Sequence, residues 1–429
     1  ALAGLAALGA ALAVVVLLLA LWWATGALVG RGRRMPLVTA SVAVLSLAAV
    51  GANLGGWRLG WASPVSLPGE AFSSRVVVER IAEGRQALAD LAAFRQAALE
   101  DPYADDEPWL GMLAGRDVLV VFVESYGRAS LEGPRYAPMH RPTLQAAEAA
   151  LVSGGLAARS GWLTAPIVGG RSWLSHATLA YGLTISDQTR YAAALASERR
   201  TLYDIAAGAG YRTAAVMPAI TLAWPESAAL GFADVFDAKG LGYRGAAFNW
   251  VTMPDQFTLD ALDRRVLDTA AGPPVFGQVA LISSHAPWTP IPPLLAWDDV
   301  GDGSVFSRWA QMGDPPEVVW RDQDRVRTQY RTAIDYALRA ALGWIARRAD
   351  DPPLVVLLGD HQPAPFVSES ESRDVPVHLI GPPGLVAAAA DWNWTPGLLP
   401  TKDAPVWPMA SFRDRFLEAF SFSRSAALQ

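Results

Sequence analysis

The chain contains no cysteine. That excludes disulfides, thiolate metal sites and a cysteine nucleophile, and it is compatible with any compartment. Charge is also scarce: charged residues make up 18% of the 429 positions against 52% hydrophobic ones. Soluble enzymes are usually less apolar, so part of the chain is expected in lipid. The formal net charge is -6 and no long run of Lys or Arg occurs, so the electrostatic footprint of a nucleic-acid binder is missing. Nucleic acid is therefore not expected as a partner. No internal repeat is present.

The apolar excess is uneven. From Ala1 to Gly30 there is no charged residue, and at about 1.5 Å per residue this run more than spans a hydrocarbon core of about 30 Å. Arg31, Arg33 and Arg34 come next, and Leu37 to Trp57 is a second uncharged stretch with Trp57 and Trp61 where an interfacial aromatic belt would lie. Two transmembrane helices joined by a basic turn are expected over 1–62. A cleaved signal peptide is the alternative, but the run is too long and its basic residues lie on the wrong side. Short basic loops stay cytoplasmic, so the chain beyond Trp61 is expected to be extracytoplasmic, in the periplasm or on the outer face of the cell membrane.

Residues 63–112 mix charge with apolar residues at helical spacing, as a helical connector would. From 113 to 429 the pattern is short apolar runs, Val118 to Val123, Thr213 to Met217, Phe276 to Ile282, Leu354 to Leu358 and Val375 to Ile380, separated by helical stretches. The helical stretches include Thr201 to Ala209, Leu259 to Ala271 and Val326 to Arg348. This alternation predicts an α/β domain with a largely parallel sheet flanked by helices.

In open parallel sheets ligands collect beyond the carboxyl ends of strands. The run VLVVFVESYGR stops at Glu124 before Gly127 turns the chain, which places either a ligand or a solvated carboxylate there. LVVLLGDHQP leads into Asp360 and His361, both competent ligands for a divalent cation, although Gly-Asp-His also suits a plain turn. In IVGGRSWLSHATLAYGL, Gly169 and Gly170 precede a helical segment beginning near Ser172. Orphan N–H groups there favour an anionic oxygen, so Ser172 reads as a nucleophile, a helix cap, or both. Ser175 and His176 rank below it. VALISSHAPWTP ends a strand near His285, which could contact an oxyanion or protonate a leaving group, or act only as a hydrogen-bonding loop residue.

Taken in order, FVESYGR, GGRSWLSHA, SSHAPW, LLGDHQP and VPVHLIGPP resemble the extracytoplasmic domain of lipoteichoic-acid-synthase-like phosphoglycerol transferases, over about residues 115–382. That group is a branch of the alkaline phosphatase and sulfatase superfamily. The resemblance implies an alkaline-phosphatase-like fold and one divalent metal ion, commonly manganese, with zinc or magnesium as the other candidates. It implies Glu124, Ser172, Asp360 and His361 as the ligands, Ser172 as nucleophile in place of the family's threonine, and His285 as the substrate-contacting histidine. It implies a membrane lipid or envelope glycan as substrate.

The strand end AVMPAITLAWPES departs from that pattern. Met217 and Glu226 stand where the family carries a histidine and an anion-gripping arginine, and only Trp224 matches. Arg171, Arg128 and Arg212 are candidate replacements for the arginine, and Glu226 beside Trp224 could receive a cationic head group such as ethanolamine or choline. A formylglycine sulfatase needs Pro or Ala two residues after its nucleophile and Arg four after it; Leu174 and His176 occupy those positions. The expected function is a metal-dependent phosphotransferase or hydrolase that works on phosphodiester head groups through a covalent phosphoserine. The alternatives are a sulfuric ester hydrolase and an inactive membrane-anchored scaffold.

Overall fold

The computed structural model describes residues 72–105, 109–268, 272–288 and 290–421. The expected transmembrane segments lie outside these residues. Among the described residues no helix is long and apolar enough to cross a membrane. The chain divides into two units, residues 1–94 and 95–429. The described part of the first belongs to a helix, Phe72–Leu99, within the stretch expected to be a helical connector.

The second unit is built on one nine-stranded sheet: β1 (Val118–Val123), β2 (Ala157–Thr164), β3 (Arg212–Met217), β4 (Asp234–Asp237), β5 (Val275–Leu281), β6 (Leu354–Gly359), β7 (Asp374–Gly381), β8 (Thr395–Pro396) and β9 (Val406–Pro408). Their spatial order is β4-β3-β5-β1-β6-β7-β2-β8, with β9 pairing β2. β1 lies at the centre, with Val118 opposite Phe276 on one side and Leu354 on the other. Its sequence VLVVFV is buried at all six positions, as a parallel strand covered on both faces requires. Each such side chain contributes about 1.5–3 kcal/mol relative to exposure.

The sheet is mixed. β4, β3, β5, β1 and β6 are parallel, whereas β7 runs antiparallel to both β6 and β2. The run Val375 to Ile380 therefore forms a strand of opposite direction to the other four predicted from sequence. β2, AARSGWLT, has no continuous apolar run and buries only Ser160 to Leu163 fully.

The helix Gln323–Arg347 opens where the Asp322 carboxylate accepts the N–H groups of Asp324 and Arg325. Leu202–Gly208 opens with a reciprocal capping box between Thr201 and Asp204. The helix expected over Leu259 to Ala271 begins earlier, at Asp255, and changes to a π-turn at Asp263–Leu267. Because the five adjoining strands β4, β3, β5, β1 and β6 share a direction, which β2 and β9 beyond β7 also take, the last residues of the five, Val123, Met217, Asp237, Leu281 and Gly359, lie along one carboxyl edge.

Candidate active site

Glu124 follows β1 directly, and its backbone N–H continues the ladder to the Leu281 carbonyl at 3.1 Å. Asp360 and His361 follow β6, the neighbouring strand. Strand pairing alone thus places these three side chains together, all buried, with one ligand atom of each lying within 4.8 Å of the others. His361 Nε2 is 3.3 Å from Glu124 Oε1 and 3.8 Å from Asp360 Oδ2. Asp360 Oδ1 is held by the N–H groups of Ser125 (2.8 Å) and His361 (2.7 Å). His361 Nδ1 donates to the Gln362 carbonyl at 2.8 Å, since a carbonyl can only accept. The Nε2 lone pair is then left for the cluster, and the Gly170 N–H points at it from 3.0 Å.

Ser172 is the first residue of the helix Ser172–Tyr181. It does not cap that helix: the N-terminus has no side-chain cap, and Ser172 Oγ instead donates to Glu124 Oε2 at 2.8 Å and lies 3.3 Å from His361 Nε2. The loop before it is tightly bent. Gly169 and Gly170 have φ of 68° and 114°, and Arg171 has φ of 65°. Glycine adopts these conformations freely, but at Arg171 and at Ser125 (φ 60°) the left-handed backbone is strained. Strain of this kind concentrates at functional sites.

The family model for sulfatases matches residues 116–381, well over half of the chain. The chain belongs to the sulfatase family. Its structure is similar to that of the lipoteichoic acid synthase LtaP from Listeria monocytogenes, with 15% identity, 74% of each chain covered and a TM-score of 0.49. It is also similar to the Streptococcus pyogenes phosphoglycerol transferase GacH (13% identity, 78% of this chain and 82% of that one, TM-score 0.47). A third similar structure is the C-terminal periplasmic domain of EcEptC from Escherichia coli (14%, 76% and 86%, TM-score 0.46). No curated protein matches the sequence.

The electrostatics of this sulfatase-family cluster fit a divalent cation. Burial works most strongly to raise the Glu124 carboxyl, but His361 by charge and hydrogen bond, together with His285 and Asp360, holds the group below its usual range. Burial, reinforced by the charge of Glu124, pushes Asp360 up to about 8. Burial would lower His361, yet Asp360 and Glu124 raise it to about 9. The two carboxylates thus draw protons onto their neighbours. A divalent cation meets the same need with fixed charge, and one imidazole with two carboxylates is a common oxygen and nitrogen donor set.

His285 sits in the turn after β5 and is exposed; its Nδ1 donates to the Ala286 carbonyl at 2.5 Å, which leaves Nε2 available. It is near enough to Glu124 to lower that carboxyl. Arg171 is exposed beside Ser172, with no side-chain hydrogen bond or ion pair among the described residues. The two other arginines considered as replacements are engaged elsewhere. Arg128 pairs with Glu132 and Asp374 and lies 4.5 Å over the Trp162 ring. Arg212 pairs with Asp234 and donates to the Val266 carbonyl. Neither serves as the replacement.

Trp224 packs against Phe232 with ring centroids 6.0 Å apart, and Glu226 begins the short helix Glu226–Ala229. Both lie near Tyr191, whose hydroxyl is pushed up to about 12 by burial first and by Glu226 second. No hydrogen bond or ion pair joins Trp224 or Glu226 to the cluster among the described residues. Ser175 is buried with its hydroxyl unpartnered and makes no hydrogen bond to the cluster. His176 Nε2 is likewise unpartnered, its ring lies against Phe122, and burial lowers it to about 4.

Sequence reasoning missed the residues that hold the cluster in place. Ser125 Oγ donates to Glu124 Oε1 at 3.0 Å and Ser284 Oγ to the Glu124 carbonyl at 2.6 Å. Asp255 Oδ1 accepts the N–H groups of Ile282 (2.7 Å) and Ser283 (2.9 Å), which fixes the turn carrying His285. Gln362 lies so close to Gly127 that a Cβ there would be 1.8 Å from Gln362 Oε1. Ser125, Ser284 and Gln362 adjoin motif residues, and that adjacency was the available signal; Asp255 had none.

Proposed function

We propose that this chain transfers or hydrolyses phosphodiester head groups of membrane lipids or envelope glycans through a covalent phosphoserine on Ser172. The observation that carries the reading is the direction of the Ser172 hydroxyl, at a helix start yet aimed at Glu124 and His361. Membership of the sulfatase family supports ester transfer or hydrolysis as the reaction class. In the proposed topology the catalytic domain is extracytoplasmic, tethered by transmembrane helices within residues 1–62.

Glu124, Asp360, His361 and the Ser172 hydroxyl would hold one divalent cation, manganese by the resemblance; when bound, it supplies Lewis-acid charge that lowers the pKa of the hydroxyl and offsets charge on phosphoryl oxygens. Ser172 gives its proton to Glu124 Oε2 as its oxygen attacks phosphorus, and the proton returns to Ser172 when the phosphoserine is resolved. Arg171 and the N–H groups at the start of the helix attract the phosphoryl oxygens. His285, with its Nδ1–H spent on Ala286, presents Nε2, which protonates the departing alkoxide when the ring carries a second proton, as the imidazolium. An acceptor hydroxyl or water then takes the phosphoryl group from Ser172 by the reverse geometry. Glu226 beside Trp224 would favour head groups bearing an ammonium; Glu226→Arg should shift preference from phosphoethanolamine towards phosphoglycerol lipids, and unchanged preference would reject that selectivity.

Metal content of the purified full chain tests the site apart from any substrate. The expected result is one equivalent of manganese, zinc or magnesium in the wild type and none in Glu124→Ala or His361→Ala. A folded wild-type chain without stoichiometric metal after loading would instead favour a scaffold that has lost catalysis.

A further inference from the structure

The surface of the second unit distributes its exposed aromatic rings unevenly. Among its described residues, every exposed aromatic side chain, Trp173, Trp250, Trp320 and Phe366, lies on a segment at the carboxyl edge of the sheet. Trp173 follows Ser172 in the same helix. Trp250 lies in the loop between β4 and the helix Asp255–Leu262, and this loop is tied to the loop after β3 by Thr252 Oγ1 donating to the Pro218 carbonyl at 2.6 Å. Trp320 donates to the Pro287 carbonyl, two residues from His285, and Phe366 follows β6 and packs against Trp320. Leu222, in the loop after β3, belongs to the same edge. Leu222 and Trp250 are both 81% exposed, the highest values among the described large apolar residues.

Exposed aromatic rings confined to the edge that carries the reactive groups, with Leu222 on the same edge, mark a contact surface. Its composition favours one occupant. Tryptophan is suited to the boundary between water and hydrocarbon, where its ring is buried and its N–H stays wet. Arg171, exposed, without an ion pair among the described residues and two residues before Trp173 at the helix start, adds a positive charge suited to phosphate head groups. The sequence itself supplies the tether: the uncharged runs Ala1 to Gly30 and Leu37 to Trp57 are each long enough to span a bilayer.

We propose that the rim of the site docks on the head-group layer of a phospholipid bilayer, with Leu222 and Trp250 entering the interface around the reactive centre. The lipid substrate is then met in place, without leaving its leaflet. The proposal rests on the reading of the site as one acting on membrane-borne esters, but the contact can be read without catalysis.

Because the chain has no cysteine, a single Leu222→Cys substitution gives a unique labelling position in the full chain. Val152→Cys is the control: it is 64% exposed at the end of the helix Ala137–Ser153, just before β2 starts at the opposite edge. Each variant carries an environment-sensitive fluorophore and is reconstituted in phosphatidylcholine and phosphatidylglycerol vesicles. The label at 222 should shift to the blue and be quenched by brominated acyl chains, while the label at 152 stays as in water. Equal emission and quenching at both positions would overturn the proposal. Shielding of 222 from a water-soluble quencher without quenching by brominated lipid would assign the rim to a protein surface and overturn it too.

As a second measurement, Leu222→Ser with Trp250→Ser should lower turnover of a vesicle-borne ester by at least roughly tenfold and leave turnover of a short water-soluble ester unchanged. Equal loss on both substrates would contradict docking. Loss of the reaction reading alone would show as absent turnover on both substrates in the wild type, with the fluorescence pattern intact.

Discussion

Ser172 shows why a cap and a nucleophile have to be separated by where the hydroxyl points. In a capping serine the oxygen accepts a backbone N–H of its own helix; here the hydroxyl donates to Glu124 and lies 3.3 Å from His361 Nε2, with no cap bond made. Ser172→Ala should therefore abolish turnover with no helix cap lost, its stability cost being that of one hydrogen bond to a buried carboxylate, about 1.5–3 kcal/mol. Ser175→Ala, whose hydroxyl is unpartnered, should keep turnover near wild type. His285→Ala should lower turnover by roughly 10²–10⁴-fold, and least for esters with acidic leaving alcohols that need no proton. Arg171→Gly separates two effects at one position. It relieves the left-handed backbone, so stability should rise by about 1 kcal/mol, while the KM for an anionic ester should increase. An unchanged KM would remove Arg171 from the site.

The strands differ in how legible they were. Runs such as Val118 to Val123 were readable because a strand buried on both faces must be apolar throughout. β2 was not, since its place in the sheet is set by β7 and its middle carries Ser160 and Gly161. The direction of β7 was also beyond reach: burial makes a parallel and an antiparallel core strand look alike in sequence. Glu124, Asp360 and His361 were legible because each ends an apolar run, whereas Asp255 was not, because its partners Ile282 and Ser283 are distant in sequence.

β7 carries a testable group. His378 is fully buried between β6 and β2, and burial lowers its ring to about 3 from an ordinary 6.5. Ser160 Oγ gives its proton to the Gly397 carbonyl (2.7 Å) and so accepts from His378 Nδ1, while Tyr126 donates to Nε2 at 3.2 Å. Both nitrogens are satisfied only in the neutral ring. The unfolded chain binds a proton below pH 6.5 and the folded chain does not until about 3. This group therefore costs stability as pH falls through that window, by up to about 1.4 kcal/mol per pH unit. Denaturant titrations from pH 7 to 5 should show that slope, and His378→Gln should flatten it.

At the scale of the molecule, buried charge holds distant parts of the second unit together. Arg413 is fully buried; its guanidinium reaches Asp101 at 3.0 Å and the Arg200 carbonyl at 2.6 Å, while Arg199 donates to the Glu100 carbonyl at 2.8 Å. Asp101→Ala would leave two buried cations short of their shared anion and should cost about 3–5 kcal/mol, read from denaturant unfolding with the metal content kept equal. None of this was visible in sequence, since the partners are separated by 99 to 312 positions. The function proposed for the whole molecule is ester transfer through Ser172 at the carboxyl edge of the sheet. The most direct test is to mix the metal-loaded full chain with a phosphodiester substrate, quench in acid within one turnover, and map the adduct by mass spectrometry. The account predicts a phosphoryl or head-group phosphate adduct on Ser172, absent in Ser172→Ala, which should also be inactive. Near wild-type turnover in Ser172→Ala, or an adduct at another residue, would contradict it.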